Sequence, residues 1–67
     1  APEHREVLEA VLALPQPYRD VVYLHYFEGM TAPQISQALH KNVHTVYTLL
    51  TRARQRLRET LGGDAYE

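Results

Sequence analysis

The sequence predicts a small all-α domain, a bundle of four helices. Three observations lead there. Apolar residues recur at three- and four-residue steps in four separate runs. Every proline and glycine falls between those runs or at their ends. The 67 residues include no cysteine, so neither a disulfide framework nor a thiolate metal site can staple them. A chain this short buries only about 60% of the surface its unfolded form exposes, which suits a compact helical bundle better than a sheet sandwich.

The first helix is expected from Pro2 to Ala13, with Val7, Leu8, Val11 and Leu12 on its inward side. Pro2 suits the first turn, and Glu3 and Glu6 lie near the positive end of the helix dipole. Leu14-Pro15-Gln16-Pro17 breaks the chain, because a residue before proline avoids helical backbone angles. The second helix is expected from Pro17 to Glu28. Its stretch Val21 to Phe27 is apolar nearly all round, a pattern that would also suit a strand. Pro17 at the start and Gly29 just past the end, where a left-handed cap needs glycine, favour helix.

The third helix is short, from Ala32 to Leu39. Thr31 and Gln34 have the spacing of a capping box, Pro33 sits in the first turn, and Ile35, Ala38 and Leu39 face inward. His40-Lys41-Asn42 forms the turn, with Asn42 as N-cap of the next helix. The fourth helix runs from Val43 to Leu61 and buries a stripe of Val43, Val46, Leu50, Ala53 and Leu57. Gly62-Gly63 ends it, and Asp64 to Glu67 is expected to fray. No internal repeat or low-complexity segment interrupts this plan.

The net charge of −1 hides a segregation. Residues 1–30 set two arginines against five carboxylates, a balance of −3. Residues 31–61 set Lys41, Arg52, Arg54, Arg56 and Arg58 against Glu59, a balance of +4. Basic charge concentrated on one element is the electrostatic footprint of a nucleic-acid contact, although a solvated helix face looks the same.

A short helix, a three-residue turn and a longer amphipathic helix make a helix-turn-helix, so the fold class is an all-α, four-helix helix-turn-helix bundle. In such a unit the second helix enters the major groove of duplex DNA. Opposite the buried stripe of the fourth helix stand Thr48, Arg52 and Gln55, with His44, Thr45 and Thr51 beside them. Hydroxyls, an imidazole, an amide and a guanidinium can donate to and accept from base edges. Arg54, Arg56 and Arg58 on the later turns suit phosphate contact. By itself, a polar face of this kind occurs on many surface helices.

Other chemistries find little support. Ser36 is the only serine and lacks a nucleophile elbow, there are no paired carboxylates, and no glycine loop could cradle phosphate. Neither an enzyme nor a small-molecule substrate is expected. His40 and His44, four apart, resemble half a zinc site, but only His44 lies on the helix proper and no third ligand is near. No metal or other cofactor is expected. Tyr18, Tyr23 and Tyr26 could stack on single-stranded bases, yet on an apolar helix they fit core packing or protein docking better. No apolar run could span a bilayer, and the cytoplasm is the expected compartment. A first residue of Ala1 suggests a piece of a longer protein.

The order of residues is more specific than the wheel. Leu14-Pro15, Tyr18-Arg19, Val21 to Gly29, Ile35, Thr45-Val46 and Arg52-Ala53-Arg54 with Leu57 together resemble region 4 of the sigma-70 superfamily. The likeness spans residues 14–61 and is nearest to the small extracytoplasmic-function group. It implies recognition of the minus-35 promoter element in transcription initiation, docking on the beta flap of RNA polymerase, and masking by an anti-sigma factor. By position it assigns DNA contact to Tyr47, Thr48, Thr51 and Arg52, with help from the third helix near Thr31 and Ala32.

The sequence departs from that family at four places. Pro33-Gln34 replaces an acidic pair, His40 replaces a glycine, and Tyr47 and Leu49 replace residues that are commonly basic. The last two imply weak DNA binding by the isolated domain, and a second reading follows: a sigma-like protein-interaction module with little groove reading. A response-regulator effector domain is a third reading. Those domains are also four-helix bundles, but they usually dimerise through the last helix and lack the Arg52-Ala53-Arg54 ending.

Overall fold

The computed structural model describes residues 3–62. They form four helices: α1 (His4–Leu12), α2 (Gln16–Tyr26), α3 (Ala32–Leu39) and α4 (Val43–Leu61). The expectations for Pro2, Gly63 and the tail Asp64 to Glu67 lie outside the described residues. α1 begins at His4 with Glu3 as its N-cap residue, and ends one residue short of Ala13. α2 begins one residue early, with Pro17 in its first turn, and ends at Tyr26, two residues before Glu28. The bounds of α3 and α4 agree with the sequence reading.

α4 is the axis of the bundle and packs against α1, α2 and α3. Its stripe of Val46, Ala53 and Leu57 is fully buried, and Val43 and Leu50 pack half-buried against it. Val11, Val21, Val22 and Ile35 complete the interior. Three details differ from the helical periodicity. Leu12 is 51% exposed, Ala38 is exposed, and Leu14 is buried although it lies outside any helix. α1 stops at Leu12, and the Leu14 N–H donates to the Val11 carbonyl at 3.1 Å, folding Leu14 back over the core. A bundle this small covers only a narrow strip of each helix, so an apolar stripe wider than that strip is left partly in water.

The turns are held by the devices their residues allow. Gly29 takes φ +70°, and the Met30 N–H closes on the Leu24 carbonyl at 3.0 Å. The carbonyl of Met30 lies 2.9 Å from His25 Nδ1; a carbonyl only accepts, so Nδ1 carries the proton. Between α3 and α4, His40 adopts the left-handed region (φ 56°, ψ 44°). Ser36 closes this corner twice: its carbonyl accepts from the Lys41 N–H, and its hydroxyl donates to the Lys41 carbonyl.

His40→Gly is expected to raise stability by about 0.5–1 kcal/mol. The left-handed region costs an L-residue roughly 1–2 kcal/mol. Glycine's greater freedom in the unfolded chain returns about 0.5–1 kcal/mol of that gain. A thermal melt should rise by a few degrees. An unchanged or lower midpoint would mean that His40 is held by contacts glycine cannot make.

Candidate nucleic-acid interface

The N-terminal turns of α3 and α4 are each closed by a side-chain cap. At α3, Thr31 Oγ1 accepts from the Gln34 N–H at 3.3 Å and Gln34 Oε1 accepts from the Thr31 N–H at 2.8 Å. Pro33 has no N–H, so the cap and the proline together leave Ala32 as the first-turn amide not engaged by the box. Ala32 itself is only 6% exposed. Its side chain belongs to the core, so the contact expected of the α3 N-terminus at Ala32 falls to its backbone N–H. At α4, Asn42 Oδ1 accepts from the His44 N–H at 2.8 Å, and the Thr48 hydroxyl donates to the His44 carbonyl at 3.0 Å.

The other sequence-selected residues are exposed on the outer face of α4. His44 and Thr45 stand on its first turn. Tyr47, Thr48, Thr51 and Arg52 line one shallow concavity of about 250 Å³. Tyr47 and Thr51 also form a wall of a larger groove of about 420 Å³, opposite Thr31 and Ala32. Gln55 and Arg56 lie further along with Arg52. The Arg56 guanidinium rests 4.8 Å from the centre of the Tyr18 ring, a cation–π contact that ties the later turns of α4 to the start of α2.

Leu49, which replaces a basic residue of the family pattern, is half-buried against the core. It does not stand ready for phosphate. Tyr47, the other replacement, is 53% exposed. Sequence reasoning missed three neighbours. His25 reaches the groove beside Tyr47 because the turn after α2 folds it there. Tyr18 and Glu59 share the concavity of Arg52 and Arg56. Glu59 follows Arg56 by three residues on α4, a helical spacing, whereas His25 and Tyr18 meet α4 from another helix, which no local pattern signals.

α1 and α2 pack against α4 on its buried side, and Glu6 and Glu9 are exposed on α1. What remains in front is a capped short helix, a left-handed corner and a long helix with a hydroxyl-, amide- and guanidinium-bearing outer face. That is a helix-turn-helix domain of the DNA-binding kind.

The family model of sigma-70, region 4 matches residues 4–57, and the chain belongs to that family. The match takes in α1, which the resemblance over residues 14–61 had left aside. The family is one of non-enzymatic, DNA-binding domains of sigma factors, which act in transcription with RNA polymerase. No individual curated protein and no solved structure matches the chain. No helix among the described residues is long and apolar enough to cross a membrane. No group of three or more metal-ligating side chains occurs among the described residues, so the His40 and His44 pair gathers no third ligand there.

Proposed function

We propose that this domain reads the minus-35 promoter element for a sigma factor of the extracytoplasmic-function kind, working in the cytoplasm as part of a longer chain. The observation that carries the reading is the outer face of α4, where His44, Thr48, Thr51, Arg52 and Gln55 are exposed together opposite a buried stripe. A helix so divided can enter a major groove without disturbing its own core. Arg54, on the same helix, supplies positive charge for flanking phosphates, and the α3 N-terminus adjoins it across one groove.

α1 and α2 supply the protein-facing side. Leu12, Tyr23, Leu24 and Leu39 line an apolar groove of about 380 Å³, edged by Arg19 and Asp20. An exposed apolar groove on an otherwise charged surface marks a protein contact, and the family points to the polymerase beta flap or an anti-sigma factor. The domain therefore divides its partners between two sides.

The test is a titration of duplexes carrying candidate promoter sequences and their scrambled versions at several salt concentrations. Binding should be in the micromolar range for the isolated chain and should fall with salt, with a log–log slope near −0.9 for each phosphate neutralised. A slope corresponding to roughly two to four contacts is expected from the few cations of α4. Affinity indifferent to salt, or equal for all sequences in the intact polymerase assembly, would sink the proposal.

A further inference from the structure

The inference concerns which base the outer face of α4 reads, and it rests on the groove-reading role proposed above. Thr48 is exposed at the middle of that face, and its hydroxyl donates to the His44 carbonyl at 3.0 Å. A threonine hydroxyl has one proton, and here the backbone has it. What Thr48 offers outward is a methyl group and oxygen lone pairs. Thr51 brings a second methyl, and Tyr47 a ring that is 53% exposed. These three side chains line a single concavity together with Arg52. Of the four, Arg52 alone is charged.

Arg52 and the hydroxyls of Tyr47 and Thr51 could serve phosphate, but phosphate gains nothing from two methyls and a ring face. The surface is well matched to an apolar group. On the major-groove edges of the four bases, that group is the C5-methyl of thymine, which threonine methyls and aromatic rings contact directly. Arg52, in the same concavity, carries the planar donor fork that matches guanine O6 and N7 in a bidentate pair. We propose that Tyr47, Thr48 and Thr51 read thymine through its C5-methyl, beside a guanine held by Arg52.

The experiment uses the 67-residue chain. Duplexes are enriched from a random pool by binding, and each thymine in the enriched site is then replaced singly by deoxyuridine. That change removes the methyl and keeps every hydrogen-bonding group. At one or two positions affinity should fall about fourfold, the worth of one buried methyl-sized group. Thr48→Ser keeps the hydroxyl and loses the methyl, and it should erase the uracil sensitivity at one of those positions. Thr48→Val keeps a methyl and should retain the sensitivity. Thr48 is exposed, so both variants should melt near the parent chain.

An enriched duplex that binds equally with thymine or uracil everywhere overturns the methyl reading while leaving groove reading intact. Uracil sensitivity that survives Thr48→Ser at every position overturns the assignment to Thr48. Failure of the pool to enrich any sequence overturns groove reading, and the thymine proposal with it.

Discussion

Leu57→Ala is expected to cost about 2–5 kcal/mol and to lower the melting midpoint by roughly 10–30 °C. Leu57 is fully buried on α4, the helix that packs against all three others. Truncation leaves a cavity on the fully buried stripe of the central helix, where close packing limits collapse. A domain of this size has a total stability of only about 3–10 kcal/mol. The variant should therefore be partly unfolded at room temperature. Leu12→Ala is the matched control: Leu12 is half exposed, and its loss should cost under about 1 kcal/mol. Far-UV circular dichroism melts of both variants decide the matter. Similar midpoints for the two would mean that burial on α4 does not hold the bundle together.

Arg52→Ala is expected to lower the ratio of cognate to scrambled affinity by roughly fivefold to 150-fold. That range corresponds to the 1–3 kcal/mol of a bidentate base contact. Lys41→Ala should weaken cognate and scrambled duplexes alike, because Lys41 stands exposed in the corner between α3 and α4, where it can meet only the backbone of the duplex. The comparison separates reading from positioning. If Arg52→Ala left the ratio unchanged, the reading face would be rotated away from the Thr48 and Arg52 side of α4.

Much of this architecture was legible in the sequence because its signals are local. Thr31 with Gln34, and Asn42 before Val43, are caps whose partners lie two or three residues away, and they form as their spacing implies. Gly29 and Gly62 occupy left-handed positions that other residues avoid. The interior stripe of α4 follows from 3.6-residue periodicity and from nothing else. Where the reading failed, the cause was tertiary. Leu12 and Ala38 have the right period but lie beyond the strip that neighbours can cover, and Leu14 is buried by a backbone turn that no periodicity describes. The seat of Arg56 on Tyr18 joins residues on two helices far apart in sequence. Ser36, set aside as a nucleophile, turns out to tie the corner between α3 and α4.

The segregation of charge between the two halves of the chain has a consequence for how the molecule meets a polyanion. The domain measures about 19 Å across its shorter axes. The Debye length at physiological ionic strength is about 8 Å, so charges on the far side are screened from a duplex touching the near side. An approaching duplex therefore responds to the +4 of residues 31–61 and hardly to the total of −1. Encounters that lead with α1 bring the exposed Glu6 and Glu9 against phosphate and are disfavoured. These carboxylates thus act as an orientation filter: they remove unproductive collisions, at little cost to the productive one.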